Sequence, residues 1–260
     1  MQHQRMLPLA RGVNIREMGG YPTVDGRTTR WQKLIRSGNM GQLTPKDLDF
    51  LAEYGLRYDI DLRSESETWF YQDRYPVQTK YINLSLYPFE RTLFENLGVV
   101  AGHQLRYGEL DIVDQTYAQM MTDPHPRAQF RQMFDYLLEN DQPDQSVLFH
   151  CAAGKDRTGA AAFLILSALG VKEEAILQDY LLTNLVFQNK TPEEINGLLT
   201  TSDADALANE LNSYLAVSER GFKTFRQVCE TVAGSMEQYF ARYLDLDHEQ
   251  LTRLQDIYLE

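Results

Sequence analysis

The chain has 260 residues, of which 43% are hydrophobic, and it can therefore bury the apolar core of one large domain. It carries 25 Lys and Arg against 37 Asp and Glu, and this net charge of −12 argues against a surface that binds nucleic acid or an anionic membrane. The longest apolar run, around 160–169, is too short to span a bilayer, so we expect no stable membrane insertion.

Strands and helices alternate in the first part of the chain. The segments 21–24 and 28–35 flank an Asp-Gly turn and are predicted to form two short strands. A Thr-Pro pair starts a predicted helix at 44–55, and the segments 56–62 and 81–86 alternate apolar and polar residues as strands do. This order of strand, helix and strand is typical of a parallel sheet.

In the middle of the chain a short apolar segment lies between helical patterns. Helices are predicted at 113–121 and 126–138 from their apolar periodicity. Residues 147–149 are apolar on both faces, which suits a buried central strand, and helices are predicted after them at 158–169 and 172–187. We therefore expect an α/β fold with a central, mostly parallel sheet flanked by helices.

The C-terminal part is predicted to be helical. Residues 222–240 carry an apolar stripe at helical spacing, and 247–259 form a last short helix. The weakly apolar helices at 193–218 are interpreted either as an ordinary packed pair or as a lid over the functional site, with the lid slightly favoured. The whole chain, 1–260, is predicted to be a single domain.

The segment 150–159, HCAAGKDRTG, carries the chemistry of the chain. A loop between a strand and a helix offers inward backbone N–H groups and the positive end of the helix dipole. Gly154 permits a backbone conformation that a larger residue would resist, and the planar fork of Arg157 fits two phosphoryl oxygens. The predicted phosphate-binding residues are Ala152, Ala153, Gly154, Lys155, Asp156, Arg157 and Thr158.

Cys151 is the predicted nucleophile of this loop. Helix N-termini and nearby cations favour the thiolate, which would take the phosphoryl group and form a phosphocysteine that water then hydrolyses. The hydroxyl of Thr158 would donate toward the sulfur and stabilise it as a leaving group. Because the loop supplies the positive charge, no metal and no cofactor are expected. A reducing cytoplasm is the expected compartment, with leaderless export as the alternative.

The leaving oxygen also needs a proton, and the chain offers several general-acid candidates. Asp156 is the first, since it sits in the loop itself. Lys155 and Arg157 favour its ionised form while a bound phosphate dianion favours its protonated form, and the sequence leaves that balance open. Glu90 is the second candidate, and the weaker ones are Asp61 and Asp111.

Three motifs resemble one known family. HCAAGKDRTG resembles the H-C-x-x-G-K-D-R-T-G signature of the bacterial atypical protein-tyrosine phosphatases, the family of the mycobacterial secreted phosphatase B. NIREMGGY at 14–21 resembles that family's N-F-R-D-[LV]-G-G motif, and DLRS at 61–64 matches a further stretch. The C-terminal apolar stripe also resembles the family's closing helices, so the resemblance covers nearly the whole chain. It implies a cysteine-phosphatase fold, Cys151 and Arg157 as catalytic residues, and a general-acid role for Asp156.

The resemblance also implies substrates: phosphotyrosine, phosphoserine or phosphothreonine, and sometimes phosphoinositides. Two departures from the family pattern stand out. Ile15 and Glu17 replace Phe and Asp, which is expected only to repack the N-terminal hairpin. The chain contains no Trp-Pro-Asp string, so the mobile acid loop of animal tyrosine phosphatases has no counterpart in sequence, and this favours Asp156 as the acid.

Other functions fit the sequence less well. A nucleotide-binding loop is excluded because Asp156 and Phe149 stand where that motif needs Ser or Thr and Gly. Cys229 lies on an apolar helical stripe and His150 is interpreted as structural. The leading function is a protein-tyrosine phosphatase, the alternative is a phosphoinositide phosphatase, and the third is a catalytically silent phosphate-binding module. Arg63 is expected either to reach the loop or to pair with Asp61 or Glu67.

Overall fold

The computed structural model describes residues 3–92, 95–96, 112–200, 207, 209–211 and 216–260. Within them, a five-stranded sheet has the order β1-β2-β5-β3-β4, and β1 alone among these strands runs antiparallel to its neighbour. The strands are β1 Arg16–Glu17, β2 Leu34–Ser37, β3 Leu56–Asp61, β4 Lys80–Asn83 and β5 Ser146–His150. The predicted α/β fold with a central, mostly parallel sheet is confirmed.

The helices lie around this sheet and in the C-terminal part. Four of them begin with reciprocal capping boxes, at Thr44, Ser64, Thr191 and Asp247, in which the cap side chain accepts from the N–H of the third helical residue and that residue's side chain accepts from the cap N–H. The helices are α1 Pro45–Glu53, α2 Glu65–Phe70, α3 Ile112–Thr122, α4 Pro124–Glu139, α5 Asp156–Ala168, α6 Glu173–Phe187, α7 Pro192–Leu199, α8 Glu219–Ala233, α9 Met236–Tyr243 and α10 His248–Tyr258.

The central strand β5 is buried on both faces, as its apolar sequence predicts. Its Leu148 belongs to a core shared with Leu51 of α1, whereas Val147 and Phe149 belong to the larger core formed by the other helices. The sheet is therefore the middle of three layers. This arrangement fixes the carboxyl end of β5, where the loop begins.

Several predicted boundaries are wrong in detail. The predicted hairpin of 21–24 and 28–35 is reduced to a single bridge between Pro22 and Thr28, and the second strand begins only at Leu34. The helix α2 was not predicted, and the apolar stripe of 222–240 belongs to two helices. They separate at Gly234, whose φ of +92° ends α8.

The predicted lid at 193–218 lies partly outside the described residues. Of the described part, Ile195, Leu211 and Val217 are buried. The side-chain amide of Asn184 donates to the carbonyls of Leu211 and Val217, at 2.9 and 3.0 Å, which ties these two residues of the segment to α6. The lid and the single-domain organisation stay predictions. No described helix combines the length and the apolar character that crossing a membrane requires.

Candidate active site

The carboxyl ends of the parallel strands meet at one edge of the sheet, and the predicted phosphate-binding loop lies there. β5 ends at His150, and the loop 151–155 leads directly into α5, which starts at Asp156. Lys155, the residue before the helix, makes no side-chain cap. The first N–H groups of α5 therefore keep their hydrogen-bonding capacity, and the helix dipole favours an anion in front of them.

The backbone at Gly154 requires glycine. Its φ is +67°, and a Cβ added there would lie 2.7 Å from backbone atoms of Ser37 and Gly38. Any side chain would strain this conformation and push the loop away from the end of β2. The predicted role of Gly154 in shaping the loop is confirmed.

The carbonyl groups of the loop are engaged by donors from neighbouring segments. These donors hold the loop from outside, while hydrogen bonds from the backbone N–H groups of Lys155 and Thr158 help to lower the pKa of the Cys151 thiol. The donors are the N–H of Asn39 to Ala152 at 2.9 Å, the amide of Asn14 to Ala153 at 3.2 Å and to Gly154 at 2.8 Å, and the guanidinium of Arg36 to Gly154 at 3.0 Å.

A buried carboxylate, Asp179 of α6, supports the arginines behind the loop. Its two oxygens accept from Arg16 at 3.0 Å and from Arg36 at 2.5 Å, and the hydroxyl of Tyr21 adds a bond of 2.9 Å. Burial opposes ionisation of Asp179, but the charges of Arg16 and Arg36 outweigh it and lower its pKa. Burial and the neighbouring Arg36 lower the pKa of Arg16 to about 10. Asp179 is therefore the counter-ion of both Arg16 and Arg36, and it positions Arg36 to donate to the carbonyl of Gly154.

Cys151 is buried, with 3% of its surface exposed, at the base of the loop. Burial would raise the pKa of its thiol, yet the charge of Arg157 and the hydrogen bonds from Thr158 and Lys155 hold that pKa below its usual value. A sulfur in this setting is a thiolate at lower pH than free cysteine, which is what a nucleophile requires. Cys229, in contrast, lies on α8 with its side chain in the hydrophobic core, and this burial raises its pKa.

The hydroxyl of Thr158 has two acceptors within reach. It lies 3.3 Å from the carbonyl oxygen of Ser37, and it also donates toward the sulfur of Cys151. One proton cannot serve both acceptors at once, and an anionic sulfur is the stronger one. The predicted hydrogen bond from Thr158 to the thiolate stays a prediction, which the lowered pKa of the Cys151 thiol supports.

Arg157 is held in place by Glu67 of α2. Its terminal nitrogens Nη1 and Nη2 donate to Oε2 and Oε1 of Glu67 at 2.6 and 2.7 Å. This pairing lowers the pKa of Glu67 to about 2, with the Arg157 hydrogen bond as the largest cause. The guanidinium carbon also lies 5.1 Å from the ring centroid of Tyr87. The pairing uses one proton of each terminal nitrogen, so other donors of the fork remain for a phosphoryl group.

The first general-acid candidate, Asp156, lies in the first turn of α5 with about a third of its side chain exposed. Its Oδ1 accepts a hydrogen bond from the hydroxyl of Tyr117, and its Oδ2 lies 3.6 Å from Nζ of Lys155. It lines a cavity of about 440 Å³ beside the loop, together with Tyr87 and Lys155. The carboxylate is thus both anchored and accessible.

The other general-acid candidates have different surroundings. Glu90 is exposed, and its backbone N–H donates to Asp123 at 3.2 Å. Asp61 is fully buried and accepts hydrogen bonds from Arg63 and from the hydroxyl of Tyr81, so it does not face a substrate. The fourth candidate, at position 111, lies outside the described residues.

His150 belongs to a buried ionic cluster beneath the loop. Its Nε2 lies 3.3 Å from Asp59 and 3.2 Å from Asp73, and its Nδ1 lies 3.2 Å from the carbonyl of Cys151. Burial opposes protonation of His150, but the nearby carboxylates outweigh it and raise its pKa well above the usual value. Burial raises the pKa of Asp59. His150 thus has the structural role that the sequence predicted.

Among the described residues, Asp59, Asp73 and His150 form the group whose ligand atoms, all within 4.8 Å of one another, could hold a metal ion. Arg63 already pairs with Asp73 and with Asp61, at 2.6 Å to the latter. Arg63 and a protonated His150 supply cationic charge to these carboxylates, so the protein itself can balance the cluster. Of the two predicted roles of Arg63, pairing with Asp61 is confirmed.

Several residues that support the site were missed by the sequence analysis. A signal existed for Glu67, because Ser64 and Glu67 stand at the spacing of a capping box. The other missed residues contact partners that are distant in the sequence, and no local pattern predicts such contacts. The missed residues are Asn14, Arg16, Arg36, Glu67, Tyr117, Asp179 and Tyr180.

A cysteine whose thiolate is stabilised at a helix N-terminus, followed by an arginine fork, defines the class of cysteine-dependent phosphatases. Comparison with known proteins agrees with this geometry. The model of the tyrosine phosphatase family matches residues 7–260, and the chain belongs to this family.

Three similar proteins carry names of the same kind. A putative tyrosine-protein phosphatase of Cupriavidus necator is 30% identical over 243 residues, 92% of this chain and 84% of that protein. A tyrosine-protein phosphatase of Nostoc commune is 33% identical over 148 residues, 56% of this chain and 46% of that protein. The triple specificity protein phosphatase PtpB of Mycobacterium tuberculosis is 28% identical over 171 residues, 58% of this chain and 61% of that protein.

Proposed function

We propose that this protein hydrolyses phosphotyrosine in proteins, with phosphoserine and phosphothreonine as further substrates, through a phosphocysteine at Cys151. The observation that carries the proposal is the setting of Cys151. Its thiol pKa is lowered at the N-terminus of α5, directly beside Arg157. Because this chemistry needs a free thiolate, we also propose a reducing, cytoplasmic environment for the active protein.

In the first step the thiolate of Cys151 attacks phosphorus. The S–P bond forms while the P–O bond to the leaving oxygen breaks, and Asp156 gives its proton to that oxygen. The fork of Arg157 and the N–H groups of 152–158 bind the three non-bridging oxygens, whose charge grows in the transition state. The side chain of Lys155 adds positive charge at the rim of the loop.

In the second step water attacks the phosphorus of the phosphocysteine. The S–P bond breaks, Asp156 takes a proton from the water, and inorganic phosphate is released. Cys151 leaves as a thiolate that accepts the hydroxyl proton of Thr158 in a hydrogen bond. Asp156 is thereby returned to its acid form for the next substrate.

The surroundings of the loop favour an aromatic substrate. The cavity of about 440 Å³ beside Asp156 is lined by Tyr87, Tyr117 and Tyr180, of which Tyr117 and Tyr180 are buried and Tyr87 is half-buried. A partly exposed aromatic side chain such as Tyr87 suits the phenyl ring of phosphotyrosine, because ring pairs add to the free energy of apolar burial.

A phosphoinositide phosphatase is the second candidate function. The Nζ group of Lys155 stands at the mouth of the loop, where it can contact a further phosphate of a polyphosphorylated headgroup. The mycobacterial relative is named a triple specificity phosphatase, which supports a broad substrate range. Turnover of phosphotyrosine, phosphoserine and phosphothreonine peptides, measured beside phosphoinositides and with a chelator present, separates these activities and tests the expected independence of metal ions.

Two variants test the mechanism itself. Cys151→Ser should abolish turnover and retain affinity for inorganic phosphate, and turnover in this variant would rule out the covalent route. Asp156→Asn should slow the release of poor leaving groups most, because only these need a proton. An equal loss for all leaving groups would assign Asp156 a structural role, and Glu90→Gln is the matched test of the second candidate.

A further inference from the structure

Two buried tyrosines stand behind Asp156. Tyr117 of α3 and Tyr180 of α6 are each 2% exposed. The hydroxyl of Tyr117 donates to Oδ1 of Asp156 and lies 3.0 Å from the hydroxyl of Tyr180. Because the single hydroxyl proton of Tyr117 goes to the carboxylate, Tyr180 is the donor of the second bond. The chain of donors therefore runs from Tyr180 through Tyr117 to Asp156.

Two glycines make room for these rings. A Cβ on Gly159 would lie 2.8 Å from Cε2 of Tyr180, and one on Gly221 would lie 3.0 Å from Cε2 of Tyr117. The ring of Tyr117 also stacks on Phe225 of α8, with centroids 4.5 Å apart. Packing from α5 and α8 therefore fixes where the two hydroxyl groups lie, independently of the bond to Asp156.

This anchoring makes the two oxygens of Asp156 unequal. Oδ1 accepts the hydrogen bond of a buried phenol, whereas Oδ2 lies 3.6 Å from Nζ of the partly exposed Lys155. When Asp156 is protonated, its proton is therefore best placed on Oδ2, because Oδ1 already accepts. A general acid must present its proton within hydrogen-bond reach of the leaving oxygen, so the choice of oxygen decides whether it can act.

We propose that Tyr117, supported by Tyr180, is a positioning residue that makes Asp156 a proton donor through Oδ2. This inference rests on the proposed acid role of Asp156. As the Oδ2–H bond breaks, the proton passes to the leaving oxygen, and the charge left on the carboxylate is stabilised by the intact O–H of Tyr117. Burial raises the pKa of both phenols, so each keeps its proton throughout.

The ionisable groups that face Asp156 come from several elements and enter any pH dependence. Lys155 and Arg157 flank it in the chain, and Cys151 lies in the same loop. The remaining groups belong to the segment after β4, to α3 and to α6, and they are Tyr87, Asp114, Tyr117 and Tyr180.

The test is the variant Tyr117→Phe, which removes one hydroxyl and keeps the ring that packs on Phe225. For aryl phosphates with poor leaving groups, kcat should fall about tenfold, and for the best leaving groups it should change little. The alkaline limb of the pH profile of kcat should also move to higher pH, because a lost donor makes the ionised carboxylate less favourable. Tyr180→Phe should shift both readouts in the same direction by less.

Tyr239→Phe is the matched control, since it removes the hydroxyl of a buried tyrosine that donates to Met121 at 2.7 Å, away from the loop. Equal loss across leaving groups with an unmoved pH limb in Tyr117→Phe would overturn the positioning role. Asp156→Asn separates the two proposals. If that variant shows no dependence on the leaving group, the acid assignment itself fails. If Asp156→Asn shows that dependence on the leaving group and Tyr117→Phe does not, only the positioning role of Tyr117 fails.

Discussion

Glu67 holds Arg157 by two parallel hydrogen bonds, from Nη1 to Oε2 at 2.6 Å and from Nη2 to Oε1 at 2.7 Å. A bidentate pair of this kind fixes the plane of the guanidinium as well as its position. Glu67 lies on α2, a helix that packs little of its own surface into the core. The orientation of the phosphate-binding fork is thus set from outside the loop.

Glu67→Gln should reduce kcat/KM for a phosphotyrosine peptide about tenfold or more. The amide of Gln accepts with one oxygen only, so one of two charge-assisted hydrogen bonds is lost, at a cost of about 1.5–3 kcal/mol. Steady-state kinetics measures this. Glu65→Gln is the matched control on the same helix, because Glu65 is exposed; wild-type kinetics in Glu67→Gln would contradict the role of the pair.

Asp179→Asn should destabilise the protein by about 3–5 kcal/mol, because it leaves Arg16 and Arg36 buried without their shared counter-ion. Urea unfolding measures the free energy. Asp135→Asn is the control, since Asp135 pairs with Arg131 on the surface of α4, where such pairs contribute about 0.2–1 kcal/mol. A similar loss of unfolding free energy in both variants would show that Asp179 does not stabilise Arg36 in its buried position.

The loop could be predicted from sequence because its nucleophile, its backbone donors and its arginine are contiguous. Cys151, Gly154 and Arg157 stand at offsets that only one kind of loop uses, and a buried strand and a helix enclose them. Central β5 was likewise predictable, since a short run that is apolar on both faces has few other places in an α/β fold.

The side-chain contacts that hold the loop could not be predicted, because they join residues that are far apart in the sequence and come together only in the folded chain. Arg63 illustrates this: its alternatives were the loop, Asp61 and Glu67, and only the folded chain assigns it to Asp61 and gives Glu67 to Arg157. Gly159 is another case. Its place in the motif was evident, whereas its reason comes from a helix that lies later in the chain: a Cβ added at Gly159 would lie 2.8 Å from the ring of Tyr180.

Thr158→Val should raise the pKa of Cys151, because the variant loses the hydroxyl that donates to the thiolate. The rate of alkylation by iodoacetate should then reach half its maximum at higher pH, and kcat should fall about tenfold, as for a lost hydrogen bond to a charged group. Thr252→Val, on the exposed side of α10, is the control. An unmoved alkylation profile would show that the hydroxyl bonds Ser37 alone.

Glu17 differs from its expected role. Its replacement of the family's Asp was expected only to repack the N-terminal hairpin, yet its side chain is fully buried. It accepts hydrogen bonds from the hydroxyl of Tyr54 and from the N–H groups of Met18 and Gly19, the latter two at 3.2 and 3.1 Å. Burial is the largest cause that raises the pKa of Glu17 to about 7, from a usual value of 4.5.

The raised pKa of Glu17 predicts that stability falls as pH rises from about 4.5 to 7. In this window the folded protein keeps the proton that the unfolded chain has lost, so unfolding releases a proton and becomes more favourable with pH. The loss amounts to about 3 kcal/mol at 1.36 kcal/mol for each pKa unit. Glu17→Gln cannot titrate, so its free energy of unfolding in urea, relative to wild type, should improve between pH 5 and pH 8. His150 titrates in both proteins and cancels in this difference, and parallel profiles for the two proteins would show that Glu17 is ionised in the fold.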